Sequence, residues 1–159
     1  MIINLAGKSD IKPVVEVLDK ATLKLLKKDI KQWTYPWPIP LVENEIAQKL
    51  VYKVEIENLV IGTFIIKPIR SLNNLLIKEN SLYVARIAIL PEYQGKNIGV
   101  HIISYCWSFS KKHKRDMYLD CWAGNVTLKE FYSKCGLTCL GDFPVDDYYV
   151  SVYCFGEEI

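Results

Sequence analysis

Six consecutive residues, Gln94-Gly95-Lys96-Asn97-Ile98-Gly99, combine the types needed to hold an anion on main-chain amides. Gly95 and Gly99 have no Cβ to keep a ligand off the backbone, Asn97 tolerates left-handed backbone better than most residues, and Lys96 adds a cation. If a helix begins inside this run, its first N–H groups lack intrahelical partners and the positive end of its dipole emerges there. Phosphate suits such a place. The plain alternative is an ordinary strand-to-helix loop, and the six residues alone fit both.

The flanking segments supply the strand and the helix. Residues 81–90 form a near-continuous apolar run through Leu82, Val84, Ile87, Ile89 and Leu90, which Pro91 terminates, so a buried strand is predicted. Ile98, Ile102, Cys106 and Phe109 recur at helical steps, with Ile103 and Trp107 widening the stripe. A further strand over about 117–123 completes a βαβ unit, which implies two parallel neighbours joined by a right-handed crossover. A ligand belongs at the carboxyl ends of those strands.

Downstream lie Leu119-Asp120-Cys121-Trp122-Ala123-Gly124-Asn125 and then Phe131-Tyr132-Ser133-Lys134-Cys135-Gly136-Leu137. Together with the run from Gln94, these residues resemble the signatures of the GNAT superfamily, the acetyl-CoA-dependent N-acetyltransferases. The first run is similar to that family's Gln/Arg-x-x-Gly-x-Gly/Ala turn, with Asn97 where its first glycine usually stands. The second is similar to its strand ending in Asn and its Phe-Tyr-x-Lys-x-Gly-Phe helix. The resemblance covers residues 81–140 well, and a Gln32-Trp33 step shared by some members extends it towards the amino-terminal half.

The resemblance implies an α/β (α+β) fold: a mixed, mostly antiparallel central sheet of six to seven strands with a splayed parallel pair and helices on both faces. It implies acetyl-CoA as cosubstrate, with Gln94, Gly95, Lys96, Asn97, Ile98 and Gly99 at the pyrophosphate. The backbone of Ile87, Ala88 and Ile89 is expected along the pantetheine arm, and Asn125 beside it. An N–H of Ile87 or Ile89 would polarise the thioester carbonyl. Tyr132 takes the role of general acid to the departing thiolate, which a phenol with a reference pKa near 10 can fill. Trp33, Tyr35 and Trp37 fall in the variable segment over the acceptor, where aromatic faces can enclose an amine. Arg86 and Trp122 are the remaining acceptor-side candidates.

A lysine-like amine has a pKa of about 10.4, so only about one part in a thousand is neutral near pH 7 and a proton acceptor is required. Members that use a glutamate in the central strand would carry it near Tyr83, where this chain has none. Asp120, Glu79 and Glu92 are the nearby acids, although Glu92 belongs to the turn and Asp120 has Arg86 as an alternative partner. Transfer to Asp120 and transfer through ordered water both stand as readings, the latter favoured.

Composition bounds the rest. At 159 residues, half of them apolar, with a formal charge of +2, the chain is expected to form one domain over 1–159 with a real core. Five cysteines fit a reducing compartment, the Cys135-x-x-x-Cys139 spacing has no second ligand pair nearby and His101 and His113 are isolated, and no run reaches the ~20 apolar residues of a membrane span. The expectation is a cytoplasmic protein with no metal, no membrane and no nucleic-acid partner; a homodimer is an open expectation. The cluster Lys111-Lys112-His113-Lys114-Arg115 reads as a solvated helix end whose cations complement the dipole, with nucleic-acid binding as the lesser reading.

Along the chain, a strand is predicted over 2–6, then a helix capped by Ser9 or Asp10 with Pro13 in its first turn. Three prolines break 33–40, a helix follows over 42–50, and 51–56 with 59–67 form a hairpin turning at Glu57-Asn58. Residues 70–80 read as a loop. Asn125 caps a helix over 126–134, and 138–141 with 148–155 supply the last strands. The rival to an enzyme is a catalytically silent acyl-CoA-binding module, motivated by the missing strand glutamate and by Asn97.

Overall fold

The computed structural model describes residues 1–30 and 32–156. Seven strands form an open mixed sheet in the order β1-β2-β3-β4-β5-β7-β6, accompanied by four α-helices. The β4–β5 pair is parallel, while β1–β2, β2–β3, β5–β7 and β6–β7 are antiparallel. This is a mixed sheet containing a parallel pair, as the resemblance implied. Among the described residues no helix is long and apolar enough to cross a membrane. The chain divides into two compact units, residues 1–66 with 86–102, and residues 67–85 with the chain from Ile103 onward.

The first unit holds β1 (Ile2–Leu5), α1 (Ile11–Lys27), α2 (Ile39–Ala47), β2 (Val51–Ile56) and most of β3 (Leu59–Ile69). Val14, Val17, Leu18 and Ala21 bury one face of α1, and Val54, Ile61 and Phe64 from the strands are buried too. Asp10 occupies the cap position of α1 without capping it: its carboxylate accepts from the Gly7 N–H at 2.8 Å and from Lys53 Nζ at 3.0 Å. Helix α2 begins at Ile39, earlier than predicted, because Pro40 falls in a first turn whose N–H groups have no intrahelical partner to lose. Glu57 and Asn58 both take positive φ (50° and 65°), the geometry that matches a two-residue turn to strand twist.

The second unit contains β5 (Met117–Trp122), α4 (Val126–Lys134), β6 (Thr138–Val145) and β7 (Tyr148–Cys154). Strand β6 runs to Val145, past the predicted end at 141, and stays paired with β7 to Val145–Tyr148. Gly141 (φ 124°) sits at a register shift and Pro144 lies on an edge strand, where neither residue ends a ladder.

Strand β4 (Ser81–Ile89) and helix α3 (Ile98–His113) contribute to both units. The parallel ladder joins β4 to β5 at Leu82–Met117 and Tyr83–Tyr118, at the amino ends of the two strands. From there β4 continues to Ile89 and β5 to Trp122.

Candidate active site

In the first unit, β4 ends in a built turn. The Leu90 N–H donates to the Ile61 carbonyl at 2.8 Å, and Pro91–Tyr93 make one 3-10 turn. Gln94 then reaches back: its Nε2 donates to the Ile89 carbonyl at 2.9 Å while its Oε1 accepts from Lys24 Nζ at 2.6 Å. Gly95 (φ 77°) and Asn97 (φ 64°) both take left-handed backbone, and α3 starts at the next residue, Ile98. A Cβ on Gly95 would meet nothing within 4 Å, so glycine is required there by conformation and not by space. Asn97 stands where a glycine was expected because asparagine is among the few side chains that accept this region. Residues 94–97 are exposed at the helix start. The Lys96 ammonium lies 5.4 Å from the Tyr93 ring centroid.

Four residues before that turn, Arg86 also has positive φ (52°), inside a strand. Its guanidinium pairs with both carboxylate oxygens of Glu45 from α2, with Nη1 to Oε1 at 2.8 Å. It also lies 5.1 Å from the Trp37 ring centroid. Trp37 is itself held, its backbone N–H donating to Asp19 Oδ1 and its Nε1–H to Thr22 Oγ1, each at 2.8 Å. Val14, Leu18, Val42, Thr63, Glu45 and Arg86 line a small solvent-connected crevice beside the pair, with room for about one water. Trp33 packs edge-on against Trp37 at 5.8 Å, and Tyr35 is exposed.

In the second unit the Tyr83 hydroxyl donates to Asp120 Oδ1 at 2.5 Å. Burial raises the Asp120 pKa above the usual carboxylate range, opposed by the Tyr83 hydrogen bond and by Lys67. Burial, reinforced by the Asp120 charge, likewise pushes the Tyr83 phenol well up. Lys67 Nζ lies 5.6 Å from the Tyr83 ring centroid. Tyr132 on α4 is buried, and burial first, then Cys121 and Asp120, raises its pKa strongly. Its proton therefore stays on the phenol throughout the neutral range. The Cys121 thiol is pushed up to about 11, chiefly by burial, and is not a ready nucleophile.

A sequence profile of the acetyltransferase (GNAT) family matches residues 22–137. The chain belongs to the GNAT family. In fold it is similar to a GNAT acetyltransferase from Streptococcus agalactiae at 19% identity and a TM-score of 0.81, covering 99% of this chain and 96% of that one. A GNAT acetyltransferase from Listeria monocytogenes gives 19% identity and a TM-score of 0.78, with 95% and 92% covered. The PaiA N-acetyltransferase of Thermoplasma acidophilum, solved in complex with coenzyme A, gives 18% identity and a TM-score of 0.73, with 95% and 96% covered. No curated protein sequence matches the chain.

Of the residues singled out for a GNAT site, Gln94 to Asn97 lie in the turn and Ile98 and Gly99 open α3, with the Gln94 side chain committed to Ile89 and Lys24. Asn125 caps α4, its Oδ1 accepting from the Leu128 N–H at 3.1 Å. The Trp122 ring is half exposed and lies against Gly124, where a Cβ would come within 2.5 Å of it. Two pairings differ from expectation. Asp120 pairs with Tyr83 and not with Arg86, and one face of Trp37 carries the Arg86 guanidinium. Tyr83, Glu45 and Lys24 went unremarked as partners in the sequence. The one signal was for Tyr83: residues 118 and 120 share a strand face, and Tyr83 is the register partner of Tyr118.

Proposed function

We propose that this GNAT-family protein is an acetyl-CoA-dependent N-acetyltransferase that acetylates a primary amine by direct attack within a ternary complex. The observation that carries the reading is the turn at residues 94–97, where Gly95 and Asn97 in left-handed backbone lead into the start of α3. Free N–H groups and the helix dipole at such a start favour a phosphate, and Lys96 adds charge. In this reading the amides of residues 95–99 hold the pyrophosphate. The backbone of Ile87, Ala88 and Ile89 pairs with the pantetheine arm, and Asn125 contacts it. An Ile87 or Ile89 N–H points to where oxyanion charge develops.

Tyr132 supplies the proton that the leaving thiolate takes up. Its raised pKa keeps it protonated at neutral pH, so the proton is in place when the thiolate departs. The incoming ammonium gives its proton to Asp120, directly, through Tyr83 or through water. A carboxylate with a raised pKa is a better-matched acceptor than an ordinary one. Trp33, Tyr35 and Trp122 remain the acceptor-side candidates. Asn97 at φ 64° keeps left-handed backbone in the turn, and Asp120 against Tyr83 offers a carboxylate where the strand glutamate is missing, which supports turnover over a silent binding module.

Thermal shift with acetyl-CoA, followed by thiol release over a panel of primary amines, tests the reading. Stabilisation together with amine-dependent thiol release is expected. Stabilisation with no release from any amine would favour the silent module, and a burst of free thiol without acceptor would replace direct attack by an acyl-enzyme.

A further inference from the structure

The most unusual backbone in the first unit is Arg86, an arginine with φ 52° in the middle of β4. Left-handed backbone is disfavoured for any residue with a Cβ, and Arg lacks the short polar side chain that lets Asn or Asp hydrogen-bond locally there. Such a residue persists when its surroundings over-determine it. Here the surroundings are specific. Glu45 accepts from both terminal guanidinium nitrogens, and the Trp37 ring lies under the same group. Trp37 is in turn tied to Asp19 and Thr22 of α1, and the Thr22 hydroxyl donates to the Leu18 carbonyl at 2.7 Å. Two helices therefore converge through one side chain on one backbone angle. Both charged side chains are largely shielded, 20% and 13% exposed, so the pair is poorly screened by solvent.

The geometry points to Glu45 and Arg86 as positioning residues: the ion pair, backed by Trp37, clamps the left-handed backbone of Arg86 within β4 and thereby sets the direction in which Ile87, Ala88 and Ile89 present their N–H and C=O groups. This rests on the coenzyme-binding reading of that strand and assigns it a device from α2. Arg86 then has no free charge for an acceptor, since its fork is filled by Glu45.

The test compares Glu45→Gln, Arg86→Ala and Arg86→Gly by acetyl-CoA affinity, by KM for acetyl-CoA against kcat, and by amide hydrogen exchange at residues 87–89 without ligand. Glu45→Gln keeps the shape and removes the charge. It should raise KM for acetyl-CoA by about tenfold while kcat at saturation changes little, and should speed exchange at 87–89. Glycine adopts φ 52° without strain, so Arg86→Gly should bind acetyl-CoA more tightly than Arg86→Ala, by about five- to thirtyfold, even though it removes more side chain. Adding Glu45→Gln to Arg86→Gly should then cost nothing further.

A residue that merely stabilises the unit would lower the melting temperature without this glycine preference. Equal affinities for the alanine and glycine variants, or an Arg86 effect confined to KM for the acceptor, would overturn the clamp. If the wild type fails to bind acetyl-CoA, the coenzyme reading falls. The exchange rates at 87–89 would still decide the clamp: acceleration in Glu45→Gln supports it and unchanged rates overturn it.

Discussion

The Tyr83 phenol on β4 donates to Asp120 Oδ1 on β5 at 2.5 Å, next to the last rung of the parallel ladder, Tyr83–Tyr118. The phenol keeps its proton and stabilises the ionised carboxylate, opposing the rise that burial gives Asp120, so the acid limb of a pH profile reports Asp120 as this contact sets it. If the pair takes the amine's proton, Asp120→Asn should lower kcat/KM by on the order of a hundredfold. Tyr83→Phe should cost less, since the carboxylate survives. The acid limb of the wild-type profile should lie above the ordinary carboxylate range and disappear in Asp120→Asn. An unchanged profile would assign proton removal to water alone.

The same residue should oppose stability. Burial raises the folded-state pKa of Asp120, so the folded protein holds that proton more tightly than the unfolded chain does. From the unfolded value of about 3.9 upwards, stability therefore falls as pH rises, until the folded-state group has also ionised. Asp120→Asn, which can still accept from Tyr83, should melt higher than wild type at neutral pH and show no difference below pH 4. Melting curves across pH 3–8 check the sign.

Tyr132→Phe retains the buried ring against Tyr153, at 5.5 Å between centroids, and removes only the hydroxyl. Turnover should fall by on the order of a hundredfold with acetyl-CoA affinity nearly unchanged, because a general acid acts in the transition state. Steady-state kinetics beside calorimetric binding separates this from a packing role, in which both would change little.

At the turn, cost should follow backbone angle and not space. Gly95→Ala adds a methyl group that meets nothing, yet should weaken the turn by about 1–2 kcal/mol through φ 77° alone. Asn97→Gly should be tolerated and Asn97→Val should not. Acetyl-CoA titrations of the three variants give the order directly.

What the residue pattern revealed is local. The 94–99 turn, the strand before it and the helix after it were legible because Pro91, Gly95 and the four- and three-residue apolar steps all lie within one short stretch. The Phe131-Tyr132 helix was legible for the same reason, with Asn125 and Gly136 as its ends. What escaped is pairwise and distant. Glu45 meets Arg86 across 41 residues and Tyr83 meets Asp120 across 37, and no period links such positions. Asp120 was matched with Arg86 on charge, whereas Arg86 is already engaged by a carboxylate on α2. Breaker residues misled in the other direction: Pro40 lies inside a helix start, and Gly141 and Pro144 lie inside a strand, because each site tolerates what the residue lacks.

Strand β6 closes one side of the sheet, and an outermost strand offers its unpaired amides and carbonyls to any passing chain. Pro144 has no N–H to offer and the register shifts at Gly141, so the edge is an interrupted template for a passing strand. The two residues that hide this strand from a reader of the sequence also blunt it as an edge on which another strand could build.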